Sequence, residues 1–318
     1  MEIFFMTLKQ MLMMFTFILI GFLMRKKNLL PDNSDTTMAK LETYIFVPAL
    51  TLFNQITQCT SATFRENYVL ILCGLALVLF AIVISYPLSR LFVKKDSDLY
   101  QRNIYKYALT FGNFGFMGNY IILGVWGNEL FYKYLLFTFF LNALCQCWGL
   151  YILIPKEENA NLWENLKKGM TTPPIIALIL GVLLGLINFK QYVPEFIINV
   201  LDNAGHCQGA VAMILAGLII GRYNLKDILG NGKVYIAAVM RLIILPSLMM
   251  ISLKLLGTND ETMTLALIAF ATPLGMNTVV FPAAYGGDTK TGASMAMISH
   301  TFSVITIPLM YLIFIILL

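Results

Sequence analysis

Ten long apolar runs divide this chain, and the charges between them alternate in a way that few folds tolerate. The runs cover about 4–24, 38–58, 67–93, 104–126, 131–154, 173–189, 196–221, 233–256, 262–285 and 290–317. Each approaches the roughly 20 residues that a helix needs to cross a hydrocarbon core, with 173–189 the shortest. Of the 22 Lys and Arg, sixteen fall in the odd-numbered connections, five in the even-numbered connections and at the N-terminal end, and one, Arg241, lies inside a run. The positive-inside rule then predicts both termini outside and the stretch 156–172 in the cytoplasm. Only 12% of the residues are charged, against roughly a quarter in a soluble domain. The basic residues form neither a stripe nor a tail, which argues against a nucleic-acid partner. The first run precedes Arg25, Lys26 and Lys27, the reverse of a cleavable signal, so it is expected to stay as a span.

The two halves echo each other. Phe17 to Leu23, followed by Leu30, Pro31 and Asp32, parallels Ile179 to Gly185, followed by Tyr192, Val193 and Pro194. Phe111 to Gly127 parallels Phe270 to Gly286. Five spans per half is an odd number, so the second half runs inverted, as in many secondary carriers. The expected organisation is a first five-helix repeat at 1–155, a short cytoplasmic loop at 156–172 and an inverted repeat at 173–318. The fourth and ninth runs differ from the rest. One holds Gly112, Gly115, Gly118, Gly124 and Gly127 around Asn113 and Asn119; the other holds Pro273, Gly275, Asn277, Thr278 and Pro282. Glycine and proline weaken the helical ladder, and a broken membrane helix offers backbone N–H groups and a positive dipole end to an anion. Close packing of plain helices is the alternative use of these glycines.

Ionisable residues inside the runs are sparse. Glu42 and Asp202 are placed near span starts and Asp288 past a span end, so no intramembrane acid is expected. Arg241 is read first as structural, holding helix-end carbonyls or snorkelling, with a role as counter-charge for an anion as the alternative. His300 and His206 are the two histidines, each a candidate for proton uptake or for a packed hydrogen bond. Asn54, Gln55 and Gln208 are further polar residues that would line a pocket. The five cysteines read as small membrane-helix residues; no metal site, cofactor or nucleophile–base pair emerges, and an enzyme is not expected.

From Leu30-Pro31-Asp32 through Tyr44 to Pro48, Phe111 to Gly127, Asp202 to Gly205, Met240 to Pro246, Ala271 to Gly286 and Ile307-Pro308, the chain resembles the auxin efflux carrier family. That family includes plant PIN-type carriers and bacterial malonate-carrier relatives. The resemblance implies an all-α integral membrane fold of ten transmembrane helices, NhaA-like, with crossed broken helices 4 and 9. It also implies a homodimer in the cell membrane, an organic-anion substrate bound at the crossing, and elevator-like alternating access. Asn113 falls on a substrate-site position of the family. Tyr120 and Thr278 stand where the plant carriers have crossover prolines, each preceded by an asparagine, Asn119 and Asn277. The expected activity is carriage of a small carboxylate held by Asn113, Asn119, Asn277 and the half-helix N-termini. A membrane sensor that keeps the fold and binds without transport is the alternative, and it would be expected to carry an appended signalling domain.

Overall fold

The computed structural model describes residues 2–93, 98–153, 167, 169–284 and 287–317; the expected cytoplasmic loop at 156–172 lies mostly outside them. All regular structure among the described residues is helical. The helices run α1 (Glu2–Lys26), α2 (Ser34–Leu41), α3 (Val47–Gln58), α4 (Ser61–Asn67), α5 (Val69–Phe92), α6 (Leu99–Thr110), α7 (Asn119–Phe137), α8 (Phe139–Leu153), α9 (Pro173–Leu186), α10 (Glu195–Gly221), α11 (Leu225–Leu229), α12 (Gly232–Val239), α13 (Leu245–Leu255), α14 (Asp260–Ala271), α15 (Asn277–Ala284) and α16 (Lys290–Tyr311). Among the described residues, five stretches are long and apolar enough to cross a membrane: Glu2–Lys26, Ser61–Phe92, Glu195–Gly221, Gly232–Leu255 and Lys290–Leu317. The pair Phe114–Phe137 and Phe139–Leu153, bent by 47°, adds a sixth candidate. The remaining apolar runs of the sequence are carried by shorter or interrupted helices. Large apolar side chains such as Leu12, Leu19, Leu72, Phe80 and Val83 face outward, which suits lipid and not water.

Local chemistry explains the interruptions. The ring of Pro48 has no N–H and would strike the carbonyl four residues back, so the chain widens into a π turn at Glu42–Phe46, closed by Val47 N–H donating to the Glu42 carbonyl. Pro246 has the same effect: a π turn at Met240–Ile244 precedes it. Helix starts are capped by polar side chains, with the Asp98 carboxylate accepting from Gln101 N–H and Asn259 Oδ1 from Thr262 N–H.

Two breaks organise the molecule. α6 ends at Thr110 and a π turn restarts the helix at Phe114–Gly118; α14 ends at Ala271 and α15 begins at Asn277. The two extended segments cross, joined by an antiparallel bridge between Gly112 and Leu274 and by Asn113 N–H donating to the Pro273 carbonyl at 2.7 Å. α7 is itself kinked at Gly127, whose φ of 78° lies in the left-handed region open to glycine. The half-helix after the first break therefore runs from Phe114 to Trp126.

Around this crossing the helices pack as two groups. α5, α8, α11–α13 and α16 pack around the broken pair, α6 with α7 and α14 with α15, while α1, α2, α3, α9 and α10 form a wall on one side. Within the wall, α1 and α10 touch through glycines: a Cβ on Gly21 would lie 2.1 Å from the Ile214 carbonyl oxygen, and one on Gly217 2.0 Å from that of Ile18. Gly112 is confined as tightly, since a Cβ there would meet Thr272 Oγ1 at 2.5 Å and Arg241 Nη2 at 2.7 Å. Gly112→Ala is therefore expected to destabilise the fold by about 1–3 kcal/mol through overpacking. A thermal-unfolding midpoint in detergent equal to that of the parent protein would show that the crossing yields freely.

Candidate functional site at the crossing of the two broken helices

A broken helix exposes four unlike ends, and the chain treats them differently. The C-terminal ends of α6 and α14 carry orphan carbonyls and partial negative charge. Arg241, buried beside the π turn at Met240–Ile244, answers both. Its Nη1 donates to the carbonyls of Leu109 and Thr110 at 3.1 Å each, and its Nη2 to that of Ala269 at 3.4 Å. The Phe270 ring lies 5.7 Å from the guanidinium carbon. Of the two readings of this arginine from sequence, the contacts fit the structural one: it holds helix-end carbonyls, and it does not line the cavity described next.

The N-terminal ends, at Phe114 and at Asn277, have no such partner. Bonding within the first begins with Met117 and Gly118 N–H donating to the Asn113 carbonyl, and within the second with Thr278 N–H donating to that of Gly275. Both ends open on one cavity. On the crossing side it is lined by Gly112 to Phe116, Asn119 and Gly275 to Asn277, and α8 adds Asn142, Cys145 and Gln146. The opposing wall supplies Thr43, Val47, Thr51, Pro174 and Leu178. Among the described residues, no Asp, Glu, Lys, Arg or His lines it. Its polar character comes from amides, hydroxyls and backbone N–H groups, and its position lies between the two helix groups.

Three of the sequence candidates meet in this cavity. Asn113 Nδ2 donates to His300 Nε2 at 3.0 Å, while His300 Nδ1 donates to the Ala296 carbonyl at 2.7 Å. That network assigns His300 as the neutral Nδ1–H tautomer and aims its free lone pair at Asn113. A proton on Nε2 would set two donors against each other, so His300 serves to fix the Asn113 amide with Oδ1 left to accept. Asn277 Nδ2 donates to Tyr107 Oη at 2.9 Å and approaches Cys145 Sγ at 3.3 Å, in a buried cluster closed by Tyr107 Oη and Cys145 Sγ at 2.9 Å. Asn119 is 5% exposed and its amide has no protein partner among the described residues.

The other candidates lie off the cavity. Tyr120 packs its ring over Gly209, and its carbonyl accepts from Gln10 Nε2. Thr278 Oγ1 donates to the Gly275 carbonyl and is fully buried against α16. Asn54 Nδ2 donates to the Asn128 carbonyl at 3.1 Å, just past the Gly127 kink. Gln208 is buried on α10 with its Nε2 unpartnered, and both polar atoms of Gln55 are likewise unpartnered. His206 is 65% exposed in its side chain, beside Asp202. Sequence reasoning did not single out Thr43, Thr51, Asn142 and Gln146, because isolated polar residues in apolar runs carry no signal of which face they take.

The cavity has a route outward. A second cavity shares Thr43, Phe116, Gln146, Met276 and Asn277 with it, and a third shares Ala39, Thr43 and Val280 with the second. The third reaches Asp35, Arg222 and Thr289, at the end of the molecule where Arg25 and Arg222 both pair with Asp35.

A model of the membrane transport protein family, Mem_trans, matches residues 6–311. The chain is also similar to the uncharacterized transporter MJ1031 of Methanocaldococcus jannaschii, with 25% identity over 301 residues, covering 92% of this chain and 94% of that protein. The matched span takes in both breaks, the bridging Gly112 and Leu274, and every residue of the cavity: the chain belongs to the membrane transport protein family, the auxin efflux carrier family, and is a membrane transporter by descent.

Proposed function

We propose that this protein is a secondary carrier that moves a small carboxylate across the cell membrane by an elevator-like shift of the crossing group along the wall of α1, α2, α3, α9 and α10. The observation that carries the reading is the polarity of the crossing. Both half-helix N-termini open on one cavity, and Arg241, the buried cation at the crossing, is spent on the opposite ends. The cavity therefore keeps a positive dipole character without a fixed charge, which favours an anion that must also leave. The side-chain amides of Asn119 and Gln146, the second N–H of the Asn113 amide and the Thr51 hydroxyl supply donors for carboxylate oxygens, while the Asn277 amide holds the Tyr107–Cys145 pair behind them.

Ten spans in two inverted repeats accommodate the element order if α6 with the half-helix from Phe114, and α14 with α15, each count as one broken span. With the Lys- and Arg-rich connections inside, both termini lie outside and the chain of cavities opens to the cytoplasm. Homodimers would pair through the wall, the part that stays still in an elevator. The membrane potential supplies about 2.3 kcal/mol per net charge moved at 100 mV, so the response to an imposed potential reports the charge carried in each cycle.

Purified protein in liposomes, offered radiolabelled malonate, malate and indole-3-acetate under an imposed potential and then a pH gradient, tests the reading. Saturable uptake of at least one is expected. Binding without uptake would identify a sensor instead, and neither binding nor uptake of any carboxylate would remove the anion assignment.

A further inference from the structure

The π turn at Glu42–Phe46 buries an acid. Glu42 has no exposed surface, and neither carboxyl oxygen has a hydrogen-bond partner among the described residues. The sequence places it near the start of a span, but α2 extends the helix back to Ser34 and leaves Glu42 eight residues inside. Its carbonyl is tied to Val47 N–H, and Val47 with Thr43 forms the part of the wall that faces the half-helix N-termini across the cavity. Thr43 also borders both cavities of the outward route.

The surroundings offer the carboxyl no counter-charge. The turn packs against α2, α3, α9 and α10. α3 and α9 contain no ionisable side chain. On α2, Asp35 is held by Arg25 and Arg222, and Lys40 is exposed at the outer cavity. On α10, Glu195, Asp202, His206 and Cys207 lie toward the end opposite to the Arg222–Asp35 pair, and no ion pair joins any of these groups to Glu42. A buried carboxylate without a donor or counter-charge costs far more than a neutral carboxylic acid, so in this arrangement Glu42 carries its proton.

We infer that Glu42 is the proton site of the carrier, loaded from one side and emptied to the other as the crossing group slides past the wall beside it. The inference rests on the carrier reading above and names its coupling ion. When the crossing carries the anion away, the wall at Thr43 and Val47 is wetted from the side to which the anion has been carried, and Glu42 releases H⁺ there as the carboxylate. When the anion returns to that level, Glu42 takes one H⁺ from the water on the open side, because an anion and a carboxylate at one dry level repel. One proton then crosses with one anion. Linkage is reciprocal, so a protonated Glu42 tightens anion binding by the factor by which the anion tightens proton binding.

Glu42→Gln keeps the shape and removes the titration. In proteoliposomes, acidifying the outside is expected to raise accumulation of the transported carboxylate by about fivefold or more in the parent protein, once the ionised fraction of the substrate is allowed for. Glu42→Gln should lose that gain and keep counterflow exchange of labelled for unlabelled substrate. A variant that responds to the gradient like the parent overturns the inference, and so does a folded variant that loses counterflow as well. If no tested anion moves in the parent protein, the carrier reading fails by itself. The proton site is then decided by infrared difference spectra across a pH titration, in which Glu42→Gln should remove a protonated-carboxyl band that disappears at alkaline pH. A band that is absent, or that never titrates, overturns it.

Discussion

Arg241→Met will lower the stability of the protein by roughly 3 kcal/mol or more, with little change in the site's side chains. The substitution keeps most of the volume and the apolar contact with Phe270, and removes the donors. The carbonyls of Leu109 and Thr110 lose their side-chain partner at the end of α6, in a place that water does not reach. Each buried acceptor left unpaired costs about 1–3 kcal/mol. The Ala269 carbonyl suffers less, since Thr272 Oγ1 also donates to it. Arg241→Lys should recover only a part, because one ammonium cannot span two helix ends as a planar fork does. Thermal unfolding in detergent checks the order: parent highest, then Lys, then Met. Equal midpoints for parent and Met would mean that the helix ends are satisfied without the guanidinium, and the polarity argument for the cavity would lose its base.

That argument shows how far the residues alone reach. The interruptions at Phe111 to Gly127 and Phe270 to Gly286 are legible because glycine, proline and asparagine crowd together in runs otherwise made of helix formers. Their position within those windows is less so. The chain breaks at Phe111 to Asn113 and at Thr272 to Met276, where Gly112 and Pro273 lie; Gly115 and Gly118 fall inside a π turn that continues the helix. Composition marks a weak ladder, but the crossing partner decides which weak residue gives way, since the Gly112–Leu274 bridge needs two extended segments side by side. Arg241 is legible as an unusual base in a span, and its service to two separate helix ends depends on tertiary contacts that no local pattern encodes.

Glu42 is the instructive case. It follows Lys40 and closes a stretch with Asp32 and Asp35, so hydropathy places it at a span edge. The helix in fact begins at Ser34, and the π turn demanded by Pro48 rotates Glu42 inward. A four-residue error in a boundary is harmless for counting spans and decisive for deciding whether a charge is wet. The same limit applies to the wall. Thr43 and Thr51 sit among apolar neighbours, and only the packing of α3 against α9 and α10 turns them to the cavity.

Asn119→Ala is expected to weaken carboxylate binding by about 10–100-fold while leaving the melting midpoint near that of the parent. A hydrogen bond to a charged group contributes about 1.5–3 kcal/mol, and each 1.4 kcal/mol is tenfold in Kd. Asn119 is the residue for which the whole of that loss falls on the ligand, because its amide faces the cavity and has no protein partner among the described residues. Asn277→Ala behaves differently. Its Nδ2 already serves Tyr107 and Cys145, so removal takes a donor from a buried hydroxyl–thiol pair and lowers stability along with affinity. Binding of labelled malonate and indole-3-acetate, measured beside thermal unfolding, separates the two. If Asn119→Ala binds as the parent does while Asn277→Ala does not, the anion sits on the α15 side of the crossing alone. If neither changes binding, the half-helix N-termini do not hold the substrate, and the site lies nearer the wall, where Thr43 and Thr51 are the residues to alter next.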